Sequence, residues 1–184
     1  NPAVKYVALV ANPKGAERAL AAKADEIVLV VSVSESHNRS NVRRSTEESF
    51  AGFAEIMHTL EGTGMKVACG MATTFGCPFE GFQPLDRILK FVDRLVGLGV
   101  DSIALADTIG MGNPTQIRGI CTEVRARFPN YEFALHLHNT RGMGLANVLS
   151  GIETGITHYE SSLGGLGGCP FAPGATGNIC TEDL

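Results

Sequence analysis

The sequence predicts a parallel α/β fold of barrel type, and three observations carry that expectation. Short apolar runs alternate strictly with helical stretches, which lays the strands side by side in one parallel sheet. Six such units in 184 residues is about 31 residues per unit, so eight would need about 245, close to the roughly 250 of a complete barrel. Glycine supplies 22 residues, about 12% against a usual value of about 7%, and gathers where strand and helix patterns stop. The expectation is therefore an incomplete TIM (β/α)8 barrel of about six parallel strand-helix units, forming one partial domain over residues 1–184. The alternative is an open doubly wound sheet. It would ordinarily carry a phosphate-binding glycine turn after its first strand, and Asn12-Pro13-Lys14-Gly15 is no such fingerprint.

The apolar run 4–10, ended by Asn12-Pro13, reads as the first strand, and the Ile/Val/Leu run 27–33 as a strand covered on both faces. An Ala-rich helix over 16–24 lies between them. Ser45-Thr46-Glu47-Glu48 offers a capping box, after which Phe50, Phe53, Ala54, Met57 and Leu60 recur at helical spacing. Residues 66–71 form the third strand; Leu85, Ile88, Leu89, Val92, Leu95 and Val96 mark a helix stopped by Gly97 and Gly99. The fourth strand, 102–106, leads to Asn113-Pro114, a cap with Pro at the first helical position, and to the stripe Ile117, Ile120, Cys121, Val124. Residues 132–138 are the fifth strand, Leu145, Val148, Leu149 and Ile152 mark the next helix, and 157–163 runs as a sixth strand into a glycine-rich loop.

Composition narrows the function classes. With 44% hydrophobic and 18% charged residues and a net charge of -4, the chain has neither the profile of a disordered segment nor the basic footprint of a nucleic-acid binder. A small-molecule partner is expected. Five cysteines without any Cys-x-x-Cys pair read as reduced thiols, and no apolar run approaches the 18 or more residues of a membrane span. The chain opens on Asn1-Pro2 with neither initiator Met nor basic-apolar signal, so both ends read as cut.

Polar residues recur where the strands end: Asn12, Ser34 and Glu35, Thr73 and Thr74, Asp107 and Thr108, His136 and His138, Ser161 and Ser162. In a barrel those ends share one rim, where the chemistry of this architecture sits. His136 and His138 lie two apart on a strand, so they point the same way while Phe133, Leu135 and Leu137 take the other face. They offer two imidazole nitrogens to a metal; a hydrogen-bonded pair in a polar interior is the other reading. Cys169, in Gly164-Gly165-Leu166-Gly167-Gly168-Cys169-Pro170, is either a proton donor on a mobile glycine loop or a small buried residue of a plain turn. Cys77 occupies a similar loop and reads as structural, while Cys69 and Cys121 sit in apolar stripes. Asn178 can complete a site of hard ligands or mark a turn, and Asp107 can hold a substrate group or cap its own turn. Arg141 faces either an anionic substrate or solvent.

Taken together, residues 102–110, His136-Leu137-His138, 164–172 and 174–184 resemble the hydroxymethylglutaryl-CoA lyase family of metal-dependent barrel lyases. The His-x-His pair is shared with isopropylmalate and homocitrate synthases; the cysteine loop followed by Gly-Ala-Thr-Gly-Asn is closer to the lyases. The resemblance implies that His136, His138 and Asn178 ligate a divalent cation, Mg2+ or Mn2+, that Cys169 is the catalytic thiol, that Asp107 supports the substrate site, and that His136 can relay a proton. It implies cleavage of 3-hydroxy-3-methylglutaryl-CoA to acetyl-CoA and acetoacetate, as in leucine catabolism and ketone body formation. Alternatives are a lyase for a larger 3-hydroxy-3-alkylglutaryl-CoA, a Claisen-type synthase, or a non-catalytic fragment. An acyl-CoA partner, no nucleic acid or membrane, a homodimeric full-length parent and a cytoplasmic setting, or a mitochondrial one, complete the expectation. The family's Arg-Asp pair on the first strand and Glu on the second are not in this chain, which reads as starting at the third strand and stopping before the last helix and lid. Asn139 stands where such lyases often carry Asp.

Overall fold

The computed structural model describes residues 3–168 and 177–184. Six strands, β1 (Val7–Leu9), β2 (Glu26–Ser32), β3 (Lys66–Ala72), β4 (Ser102–Asp107), β5 (Glu132–Leu137) and β6 (His158–Glu160), pair in parallel in strict chain order. The helices are α1 (Pro13–Ala21), α2 (Glu35–Val42), α3 (Thr46–Leu60), α4 (Leu85–Leu98), α5 (Pro114–Arg127) and α6 (Gly144–Glu153). A doubly wound sheet reverses its strand order at a switch point. This sheet has no reversal, and it curls into a half-barrel.

Alternation decides what each face buries. Ile27, Leu29 and Val31, then Val67, Cys69 and Met71, Ile103 and Leu105, and Phe133, Leu135 and Leu137 form the outer face, each no more than 4% exposed. They join one cluster with Phe50, Phe53 and Ile56 of α3, Ile88, Val92 and Leu95 of α4, and Ile117, Cys121 and Val124 of α5. At about 1.5–3 kcal/mol per fully buried large apolar side chain, this layer dominates the driving force. The inner face is built of small residues instead: Ala68, Gly70, Ala72, Ala104, Ala106 and Ala134 line up across β3, β4 and β5.

Local signals account for the helix starts. Asn113 Oδ1 accepts the Gln116 N–H with Pro114 at the first position, and the Ser45–Glu48 capping box forms as its spacing predicts. Helix α1 begins earlier than expected, because Asn12 is its cap: its side chain accepts the Gly15 N–H at 2.9 Å, with Pro13 following. Asn12-Pro13 thus ends a strand and starts a helix. Helix α2 was not expected at all. Its sequence, ESHNRSNV, has no apolar stripe, and it is anchored by buried polar side chains: Asn38 Oδ1 accepts the Ser32 N–H, while Asn38 Nδ2 donates to Arg44 O and Ser49 Oγ. Strand β6 is shorter than its predicted span, giving way to a 3-10 turn at Leu163–Gly165. No helix among the described residues is long and apolar enough to cross a membrane.

Candidate active site

The carboxyl ends of all six strands share one rim, and three connections there are ordered by polar contacts. Thr73, just past β3, sits in the left-handed region at φ 58°, a conformation that costs a β-branched residue about 1–3 kcal/mol. Hydrogen bonds hold it there. Its N–H donates to Thr108 Oγ1 at 2.9 Å and its Oγ1 accepts the Ser34 N–H at 3.2 Å, so the ends of β2, β3 and β4 are tied together.

On β5 the buried Leu135 and Leu137 fix the register, and His136 turns inward between them. His138 follows on the same side. The two Nε2 atoms lie 3.2 Å apart, with ring centroids at 5.2 Å. The Nδ1 of His136 lies 2.6 Å from Glu160 Oε2 on β6, whose Cα is the register partner of His136.

Residues 177–181 return to this rim as a strap. Asn139 N–H donates to Gly177 O and Ile179 N–H to Leu137 O, which pairs His138 with Asn178. On the other edge Ser162 N–H donates to Ile179 O, and Thr181 N–H to Ser162 O. Ile179, 1% exposed, is the apolar peg of the strap. The Asn178 amide is then oriented by its own bonds: Nδ2 donates to Leu166 O at 2.8 Å and Gly167 O at 3.3 Å, leaving Oδ1 buried and without a partner.

Glycine makes this approach possible. An ideal Cβ on Gly177 would fall 1.5 Å from Gly165 O, and one on Gly167 would fall 2.9 Å from Asn178 Nδ2. Gly165 and Gly167 of the glycine-rich loop therefore serve close packing of loop on strap. Cys169 lies outside the described residues.

The structure brings His136 and His138 together, bridges His138 to Asn178, and sets Asp107 at the end of β4. Asp107 is fully buried at the end of β4, in register with Leu137 rather than with His136. Its Oδ1 accepts the Met111 N–H at 2.9 Å and its Oδ2 the Gly112 N–H at 3.0 Å. Burial pushes its carboxyl up to about 6, against the opposing pull of those N–H groups and of the Arg141 charge. Asn139 accepts the Gly144 N–H through Oδ1 at the start of α6, a bond that needs an acceptor and no charge. Cys77 is buried and donates to Ser34 Oγ; Cys69, Cys77, Cys121 and Cys180 are free thiols. Burial pushes the Cys69 and Cys121 thiols well up, so both are inert core groups.

Glu160 is the residue that sequence reasoning passed over. Only its position at the end of a strand beside the histidine strand marked it. The donor set is chemically suited to a divalent cation: two imidazole nitrogens face each other at 3.2 Å, and a buried carbonyl oxygen lacking a partner sits on the residue bridged to one of them. Among the described residues no three His, Cys, Asp or Glu side chains are grouped so as to hold a metal ion.

Half a parallel barrel with two histidines and an amide at its carboxyl rim defines a protein of the TIM-barrel class. The chain belongs to the HMGL-like family, whose model matches residues 2–184. It is 40% identical over 181 residues to the hydroxymethylglutaryl-CoA lyase YngG of Bacillus subtilis, covering 98% of this chain and 60% of that protein. It is also 40% identical to the (R)-citramalyl-CoA lyase of Chloroflexus aurantiacus, covering all of this chain and 58% of that one. An HMG-CoA lyase of Acinetobacter baumannii, solved with coenzyme A and 3-methylmalate, superposes with a TM-score of 0.93 at 49% identity, covering 98% of this chain and 59% of that structure. The chain thus spans about three fifths of the length of the relatives it matches.

Proposed function

We propose that this chain supplies the metal-holding wall of a carbon-carbon lyase that cleaves 3-hydroxy-3-methylglutaryl-CoA to acetyl-CoA and acetoacetate. The observation that carries the reading is the facing Nε2 atoms of His136 and His138 together with a buried, partnerless amide oxygen on Asn178, the residue bridged to His138. His136, His138 and Asn178 would hold the divalent cation, Mg2+ or Mn2+, at three positions and leave others open to substrate. When bound, such an ion supplies Lewis acidity that lowers the pKa of the 3-hydroxyl and fixes its geometry.

The cleavage is a retro-Claisen reaction. The 3-hydroxyl gives its proton to solvent water, its oxygen forms the ketone as the C2–C3 bond breaks, and that electron pair passes into the thioester enolate. Cys169 is proposed as the acid that protonates the enolate carbon, since a thiol of pKa about 8.5 is mostly protonated near pH 7. Asp107 acts on this reading through the rim loop it braces, by holding the Met111 and Gly112 amides in place.

A second substrate is favoured by one specific observation, the equal identity to a citramalyl-CoA lyase. That thioester carries the same 3-hydroxyl and 3-methyl, with its carboxylate one carbon nearer. Incubation of the full-length protein with each acyl-CoA and Mn2+ separates the readings. Acetoacetate with acetyl-CoA is the expected product pair; pyruvate in its place would assign the shorter substrate, and no cleavage of either would refute the lyase reading.

A further inference from the structure

We propose that Glu160 is a positioning residue that fixes the tautomer of His136 and so aims a lone pair at the cation position, an inference that rests on the metal-holding reading above. Glu160 is the register partner of His136 on the adjacent strand, both side chains turn to the concave face, and the carboxylate oxygen lies 2.6 Å from Nδ1. A carboxylate only accepts, so the ring must place its proton on Nδ1, and Nε2 is left as a bare lone pair. That lone pair points along the 3.2 Å line toward His138 Nε2. Two facing imidazole nitrogens need a proton or a cation between them, and Glu160 removes one of the two protons available for that purpose. The end of β6 is itself held in place, because the strap bonds Ser162 two residues further on. A carboxylate behind a ligating histidine both orients the ring and raises its basicity; loss of such a partner typically lowers metal affinity about 10–100-fold.

The test uses the full-length protein with 15N-labelled histidine and two readouts, long-range 1H–15N correlation at pH 8 without metal and Mn2+ titration followed by the EPR signal of the free ion. The wild type is expected to show His136 protonated at Nδ1. Glu160→Ala should move the proton to Nε2, the form free imidazole prefers, and weaken Mn2+ binding about 10–100-fold. Glu160→Gln, which keeps the size and an accepting oxygen, should fall between and covers the case in which the Ala variant does not fold. His158→Gln on the same edge should leave both readouts at wild-type values. An Nε2-protonated His136 in the wild type, a tautomer unmoved by both Glu160 substitutions, or an unchanged Mn2+ affinity would overturn the proposal. Absence of Mn2+ binding in the wild type with the Nδ1 tautomer in place would instead strike the metal-holding reading and take this inference with it.

Discussion

His37 is fully buried with its Nδ1 2.8 Å from Ser32 Oγ, and its Nε2 has no partner. Burial holds its pKa below the usual 6.5, so the folded chain keeps the ring neutral. A depressed folded value means that this stabilisation is fully present above about pH 6.5 and is lost as pH falls through the lower folded value. Asp107 has the opposite sign: raised from 3.8 to about 6, it favours the folded state by roughly 3 kcal/mol more below pH 4 than above pH 6. The two effects are separable by substitution. His37→Phe should flatten the fall in urea midpoint between pH 7 and pH 5; a wild-type slope retained in the variant would exclude the histidine as its source. At the proposed catalytic centre, Cys169→Ala in the full-length protein should depress turnover far more than Mn2+ affinity, whereas His138→Ala should abolish tight Mn2+ binding. Equal loss of turnover and affinity in the cysteine variant would make the thiol structural or a ligand.

Among the elements, what could be read in advance was what repeats. The short apolar runs predict β2 to β5, and the inward direction of His136 follows from the apolar face of Leu135 and Leu137. Helix α2 escaped because it is tied by Asn38 and by the Ser34 cap on the His37 N–H, and carries no apolar period. Glu160 escaped because its contact with His136 spans 24 residues and exists only once β5 and β6 are in register. The glycine-rich stretch was visible, but its purpose needed the strap that packs on it. Glycines of different kinds should therefore respond differently. Gly97, inside α4, and Gly119, inside α5, face open space, and replacing either with Ala should stabilise the chain by about 0.5–1 kcal/mol. Gly177→Ala should cost about 1–3 kcal/mol because backbone must move to admit the methyl. Chemical denaturation of the three variants measures both signs, and a neutral Gly177→Ala would contradict the close packing of strap and loop.

For the molecule as a whole, the apolar surface is unevenly covered. On β1, Val7 is 54% and Leu9 75% exposed, and α6 presents Leu145, Leu149 and Ile152 outward, leaving Val148 as the stripe residue that is buried. Strand β1 pairs on one side with β2, and β6 on one side with β5. Open strand edges flanked by exposed apolar side chains recruit other chains. The 184-residue chain is expected to self-associate with rising concentration, and Leu9→Lys to lower its weight-average mass in light scattering. A monodisperse monomer at high micromolar concentration would show that these edges are already silent.

The strap has a kinetic corollary. His138 and Asn178 stand forty positions apart, and between them the polypeptide must complete α6 and β6 before it can double back. The amides of Asn139, Ser162, Ile179 and Thr181 stitch that return on both sides. Their hydrogen exchange should consequently proceed in concert, as one opening reaction. Any ion gripped by both residues would slow all four together, acting as a clasp whose release reports the undoing of about the last quarter of the chain.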